Sequence, residues 1–329
     1  MSFLSQILPV LTSFAVSGLL LVWMVYGRWA YRVTDQPNER SLHVRPVPRT
    51  GGIAIMGGIC AGWLVAAGQD SWRLLSLPIL LALVSLFDDI YGLSVWVRLL
   101  VHIVVALVGV TLFAQGGLGT IEWIFVAAAI VWMTNLFNFM DGSDGLAGGM
   151  AAIGFLFLGV AAWAGGNIAF SVMNWTIVSS AFAFLLFNIY PARIFMGDSG
   201  SIPLGFLAAA NGFYGFKDGL WPAWFPLLVF SPFIVDATVT LLKRLLRGER
   251  IWHAHREHYY QHLVLLGHGH RKTAWLEYSV MIAAGLSALW GVSKPVLSQA
   301  LLLAAWVVVY MTLARTIDRR WRAFERQSK

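Results

Sequence analysis

From Ile121 to Gly145 the chain reads Ile121-Glu-Trp-Ile-Phe-Val-Ala-Ala-Ala-Ile-Val-Trp-Met-Thr-Asn-Leu-Phe-Asn138-Phe-Met-Asp141-Gly-Ser-Asp144-Gly145. Residues 121–137 are almost wholly apolar. As helix, such a run approaches the roughly 20 residues that cross a bilayer core. It stops at a polar block of one asparagine and two aspartates set among glycines. A charged group at membrane depth costs about 2.5–3.5 kcal/mol on insertion scales. The block therefore belongs at a membrane boundary, where its acids need a reason to be.

Working outward, ten further apolar stretches fall near 3–26, 51–67, 74–87, 95–114, 146–164, 168–187, 201–216, 222–242, 273–291 and 296–314. Of the 329 residues, 58% are apolar and 12% charged. That is half the roughly 25% charged content of a soluble domain, too little to cover a water-facing surface. A cytosolic enzyme, a disordered chain and a disulfide scaffold are all excluded; Cys60 is the single cysteine. The expected fold class is all-α. It is a polytopic transmembrane helical bundle of eleven spans, or ten if one short stretch does not cross, forming one integral membrane domain over 1–329. The longest polar interval, 243–272, is too short for a separate soluble domain.

The first stretch does not read as a cleavable signal, because its first basic residue, Arg28, follows the apolar run. Basic residues behind a first span hold that end in the cytoplasm, which places the N-terminus outside. Inside segments are then 27–50, 88–94, 138–145, 188–200, 243–272 and the tail from 315, with 5, 0, 0, 1, 7 and 6 Lys and Arg. With Arg98 they hold 20 of the 23; only Arg73, Lys217 and Lys294 fall on the other side. The net charge of +7 is thus a topology signal and an attraction for anionic lipid heads, not a nucleic-acid groove. Trp72, Trp123, Trp221 and Trp224 lie near span ends and read as an interfacial belt, while Trp63 and Trp306 are more central.

This topology gathers three acidic blocks on the cytoplasmic face: Asp88 and Asp89, Asp141 and Asp144, and Asp198. Taken singly, each acid could cap a helix or face water. Together they repel, and the nearby blocks supply few cations, Arg98 and Arg193. A divalent ion answers the charge, and all-oxygen ligands favour magnesium or manganese over zinc. Adjacent Asp88 and Asp89 point about 100° apart on a helix, so one of the two can ligate directly. Ser199 and Ser201 precede the eighth stretch, and a helix start offers free N–H groups to a phosphate.

Pro37, Pro46 and Pro48 stiffen the segment before Arg49-Thr50-Gly51-Gly52. Arg45 and Arg49 there serve either to dock anionic groups or to anchor the inside face. Six of the eight histidines fall in 247–272: His253, His255, His258, His262, His268 and His270. His258 and His262 have zinc-pair spacing but no cysteine beside them, so the other readings are phosphate or sugar recognition and a solvated loop. Asp236 lies inside the ninth stretch, and an intramembrane acid is a functional candidate by default.

These blocks resemble the polyprenyl-phosphate N-acetylhexosamine-1-phosphate transferases. The resemblance runs over nearly the whole chain through Pro48-Arg-Thr-Gly-Gly52, the Asp88-Asp89 pair, Asn138-Phe-Met-Asp141-Gly-Ser-Asp144-Gly145, Pro191-Ala-Arg-Ile-Phe-Met-Gly-Asp198-Ser-Gly-Ser201 and the late histidine segment. It implies a bacterial inner-membrane enzyme that moves an N-acetylhexosamine 1-phosphate from a UDP-sugar to undecaprenyl phosphate and releases UMP. The step would open cell-surface polysaccharide synthesis. The implied cofactor is magnesium, with manganese as a substitute, and Asp198 is its implied ligand. Asp88 and Asp89 would sit at the lipid phosphate, and Asn138, Asp141, Asp144 and Asn188 at the nucleotide and pyrophosphate. His258 completes the implied catalytic set. Arg49, Thr50, Arg98, Arg193 and His255 fall to substrate binding. A second copy of the chain is an allowed partner.

Two departures stand out: the late segment reads His258-Tyr259-Tyr260-Gln261 rather than a run of histidines, and His102 stands where many relatives carry glutamine. Ala254-His255-Arg256-Glu257-His258-Tyr259-Tyr260-Gln261 is closer to the O-antigen branch, whose sugars are often 6-deoxy, than to the muramoyl-pentapeptide branch. The sugar itself stays open. An ion-coupled transporter would hold its acids near midplane in inverted repeats. Another lipid-headgroup phosphotransferase, such as a CDP-alcohol enzyme, would hold them in one helical stretch. Here they come from three hairpins.

Overall fold

The computed structural model describes residues 3–27, 34–35, 46–67, 71–114, 117–250 and 255–327, and only the backbone of 67, 71–74 and 114. Arg28, Pro37, Arg45 and His253 lie outside the described residues, as do the side chains of Trp72 and Arg73. Helices α1 (Phe3–Tyr26), α2 (Gly51–Ala67), α3 (Ser71–Tyr91), α4 (Val95–Ala114), α5 (Thr120–Phe139), α6 (Leu146–Ala164), α7 (Ile168–Asn188) and α8 (Asp198–Lys217) follow in order. After them come α9 (Trp224–Val229), α10 (Ser231–Leu246), α11 (Tyr259–Leu263), a π-helical turn (Val264–His268), α12 (Gly269–Val292) and α13 (Val296–Gln327). Among the described residues, one antiparallel pair interrupts the all-α pattern, β1 (Thr34–Asp35) with β2 (Val47–Pro48). Pro46 and Pro48 favour that extended backbone.

Ten of the eleven apolar stretches fall wholly within helix, and 222–242 begins in a turn before α9. The stretch 222–242 divides at Phe230 into α9 and α10, with Pro232 in the first turn of α10. Proline there lacks the N–H that would continue the α9 ladder. Among the described residues, seven helical stretches are long and apolar enough to cross a membrane: Phe3–Tyr26, Val95–Phe113, Thr120–Phe139, Leu146–Ala164, Ile168–Asn188, Tyr259–Val292 (α11 through α12) and Val296–Gln327. The protein is a polytopic helical membrane protein.

Helices α6, α7 and α8 form the centre, with Phe155, Phe184 and Phe206 fully buried. Between membrane helices small residues and interhelical hydrogen bonds replace the hydrophobic effect. Ser13 of α1 accordingly bonds the Thr176 carbonyl at 2.7 Å and Ser180 Oγ at 2.8 Å. Trp63 is buried and donates to the Met173 carbonyl. Trp221 is also a core residue rather than part of a belt, since its indole N–H donates to the Gly212 carbonyl at 3.0 Å. By contrast α13 buries none of its residues and offers its leucines and valines to lipid.

Candidate active site

Backbone pairing draws the 48–52 motif onto the 191–201 motif. Phe195 N–H donates to the Pro48 carbonyl at 2.7 Å, Gly51 N–H to Phe195 at 2.9 Å and Gly52 N–H to Met196 at 2.8 Å. The crossing needs glycine: a Cβ on Gly52 would lie 2.2 Å from the Gly200 nitrogen. Gly197 has φ of +70° and would place a Cβ 2.4 Å from the Arg49 carbonyl oxygen. Arg49 is thereby set beside the first turn of α8, where Asp198 stands.

Helix α3 delivers Asp88 and Asp89 to the same place. Asp88 accepts the Leu93 N–H at 2.5 Å and Arg98 Nη1 at 3.0 Å. The same Arg98 nitrogen is 3.5 Å from Asp198 Oδ2. Arg49 Nη2 donates to the Asp89 carbonyl at 3.0 Å and lies 3.4 Å from Asp89 Oδ1. From the end of α5, Asn138 Nδ2 donates to Asp198 Oδ1 at 2.8 Å and to Ser201 Oγ at 3.1 Å. Asp141, in the loop after α5, accepts the Gly197 N–H.

The carboxylates outnumber their cations. Burial, with Asp198 alongside, pushes Asp89 up to about 7, and Arg49 only partly opposes this. Burial and Asp198 likewise raise Asp141 well above the usual range. Burial raises Asp198, against its bond from Asn138. Asp89 Oδ2 is buried with no hydrogen-bond partner among the described residues, and so is Arg49 Nε. Among the described residues no three His, Cys, Asp or Glu side chains form a ready cage for a metal. Magnesium does not require one, since it keeps several waters and takes one or two carboxylates plus substrate phosphates. An unpartnered buried carboxylate oxygen among three acids suits that ion.

Other expected residues hold the walls. Asp144 Oδ2 accepts the Ala192 N–H at 3.0 Å; Asn188 accepts from Gly145 N–H at 2.9 Å and donates to the Ile194 carbonyl at 2.9 Å. Both clamp the 141–145 loop to the 188–194 segment. Arg193 is exposed and donates to Tyr26 Oη at 2.9 Å and the Leu186 carbonyl at 3.1 Å, away from the carboxylates. Thr50 accepts the Ile53 N–H through its carbonyl as α2 begins.

The histidine segment reaches the site through α11. Buried Asp236 accepts from His258 Nδ1 at 3.2 Å, Tyr259 N–H at 2.9 Å and Tyr260 N–H at 3.0 Å, while Thr240 Oγ1 donates to it at 3.2 Å. Tyr260 Oη donates to the Phe139 carbonyl at 3.3 Å, next to Asn138, and the His258 ring stacks over Phe139. His255 lies against His258, ring centroids 4.9 Å apart. Burial, with His258 and Arg244 nearby, pushes His255 down to about 4. His262 faces elsewhere, against Trp321, so the zinc-like spacing with His258 brings no shared site.

Sequence alone gives Tyr260 and Tyr278 no role and places His270 only in the histidine segment; Tyr278 and His270 pin the 143–145 loop. Tyr278 Oη donates to the Gly145 carbonyl at 2.6 Å, and His270 Nδ1 sits 2.9 Å from Ser143 Oγ. Aromatic residues in an apolar chain carry no signal that would single them out.

The sequence model of Glycosyl transferase family 4 covers residues 71–215, from α3 to α8. A probable undecaprenyl-phosphate N-acetylglucosaminyl 1-phosphate transferase of Bacillus subtilis is 28% identical over 305 residues, 86% of this chain and 85% of that one. The undecaprenyl-phosphate alpha-N-acetylglucosaminyl 1-phosphate transferase of Yersinia pestis is 26% identical, over 88% of this chain and 85% of its own. A decaprenyl-phosphate N-acetylglucosaminephosphotransferase of Mycolicibacterium smegmatis is 29% identical over 82% and 76%. The matched segment carries both aspartate hairpins and the α8 aspartate, and over it the chain is similar to glycosyl transferase family 4.

Proposed function

We propose that the protein transfers N-acetylglucosamine 1-phosphate from UDP-N-acetylglucosamine to undecaprenyl phosphate in a bacterial inner membrane, releasing UMP and starting a cell-surface glycan. The observation that carries this is the meeting of Asp89, Asp141 and Asp198 from three separate hairpins, with Arg49 and Arg98 beside them. The sugar follows the activities of relatives that align over most of both chains. On this reading eleven spans cross the bilayer, the N-terminus is outside, the carboxylates open to the cytoplasm, and 1–329 is one catalytic domain.

An oxygen of the lipid phosphate attacks the β-phosphorus of the UDP-sugar. The new P–O bond forms as the bond to the oxygen bridging to the uridine phosphate breaks, and UMP leaves with that oxygen. A phosphomonoester has a second pKa near about 6, so the nucleophile is already largely dianionic at neutrality. The chain's task is to hold two anions together: unit charges 4 Å apart repel by about 4 kcal/mol at an effective dielectric of 20. Arg49 and Arg98 remain a third exposed and keep donors for phosphate oxygens. Asp198, with Asp141 beside it, would hold magnesium. When bound, that ion supplies charge neutralisation on the pyrophosphate and on the leaving group. Asp89 orients the lipid phosphate, and His258, its Nδ1 occupied by Asp236, presents Nε2. An apolar groove of about 800 Å³ between α4 and α5 runs from Leu107 to Asn135 and Phe139, beside Asn138, and takes the start of the prenyl chain.

The test is a panel of UDP-sugars with undecaprenyl phosphate and magnesium, reading UMP release from purified protein. Release with UDP-N-acetylglucosamine alone is expected. Release with only another sugar overturns the donor, and none with any overturns the activity.

A further inference from the structure

Away from the carboxylates, the C-terminal part of α13 encloses a cavity of about 420 Å³ against the end of α10 and the segment leading into α11. Its acids already have partners. Glu257 is held by Arg244 and Arg247, Asp318 by Lys243 at 2.6 Å, and Glu325 accepts the Trp321 indole N–H at 3.0 Å. Two of its cations do not. Neither Arg256 nor Arg322 pairs with a carboxylate among the described residues, and Arg322 donates only Nε, to the Asp318 carbonyl at 3.2 Å. His262 completes the wall, 8% exposed and stacked flat on Trp321 with centroids 3.9 Å apart. Its Nδ1 has no hydrogen-bond partner among the described residues.

We infer that this cavity is a second anion site, which binds a phosphate group between Arg256, Arg322 and His262. Guanidinium forks match phosphate oxygens two at a time, and such charge-assisted bonds are the strong ones. Depth bears on the source. The apolar stretch of α13 ends near residue 314, and Asp318 to Arg322 follow, about 6–12 Å further along a helix rising 1.5 Å per residue. That is the level of lipid headgroups, within reach of a phospholipid phosphate and of a free one. Arg256 and Glu257 directly precede His258. A phosphate held there steadies the segment that carries the histidine into the active site.

The test uses the full chain purified in detergent and native mass spectrometry, with short-chain phosphatidylglycerol, short-chain phosphatidylcholine or inorganic phosphate as probes. One equivalent of phosphatidylglycerol is expected to bind at least roughly tenfold tighter than phosphatidylcholine. The double variant R256Q/R322Q is expected to lose that preference by a similar factor. Both positions are exposed, and an unchanged melting temperature separates loss of the site from loss of the fold. Inorganic phosphate that binds in an Arg256- and Arg322-dependent way, without a phosphatidylglycerol preference, assigns the site to a soluble phosphate. If neither phosphatidylglycerol nor phosphate binding depends on these arginines, the inference is wrong.

Discussion

Asp88 has both carboxylate oxygens engaged, by the Leu93 N–H and by Arg98, whereas Asp89 keeps Oδ2 free near Gly197. On the proposed mechanism the two acids divide the work: Asp88 positions Arg98, and Asp89 would face substrate. Replacing Asp89 or Asp198 by Asn should cut kcat by roughly 10²–10³, as when an electrostatic stabiliser is removed. Asp88→Asn should cost less, about tenfold, and should appear mainly in kcat/KM. Steady-state UMP release distinguishes the two, and equal losses at 88 and 89 would contradict the division. Asp236 belongs to the same scale. Asp236→Asn puts an amide where four donors converge and frees the His258 ring to choose its tautomer. The expected loss is about tenfold in kcat with a displaced pH profile, whereas an unchanged profile would leave Asp236 a helix cap only. Sequence made Asp236 conspicuous, as an acid inside an apolar stretch. What it binds lies 22 residues away across a loop and could not be read from periodicity.

At the level of elements, the chain's own punctuation foretold most boundaries, since apolar runs end where Gly, Pro, Asn and Asp begin. Within 222–242 that cue was overridden by the length of the apolar run, although Pro232 marks where α9 gives way to α10. The pairing of 48–52 with 195–197 was not legible either, because it joins loops far apart in the chain through backbone atoms alone. It has a testable consequence. Gly52→Ala brings a methyl onto the Gly200 backbone and should destabilise the protein by about 1–3 kcal/mol, the usual range for overpacking, with activity falling as Arg49 moves. A thermal melt unchanged from wild type would contradict the crossing. The loop before α11 gives a pH prediction. His255 titrates near 6.5 when unfolded and is pushed down to about 4 when folded. The unfolded chain therefore binds more protons between these values, and stability falls as pH drops through that window. His255→Gln should flatten this acid limb in urea melts and leave stability at pH 8 less affected.

For the whole molecule, composition and the lopsided placement of lysine and arginine carried the reading furthest. They named a polytopic helical protein and set the expected side of the three acidic hairpins, because insertion responds to those quantities directly. They do not report how hairpins converge in space, which packing decides. In a Cys60→Ser background, cysteines at Arg250 and Arg193 should react with an impermeant thiol reagent only after cells are opened. A cysteine at Ser293 should react in intact cells, and the reverse pattern would invert the topology. The central claim is that Asp89, Asp141 and Asp198 act as one unit. Its most direct test is UMP release by the three single Asn variants and by the triple variant. Groups that act together are grossly non-additive when removed. The triple variant should thus be about as slow as the slowest single one, while losses that multiply across the three sites would contradict a shared centre.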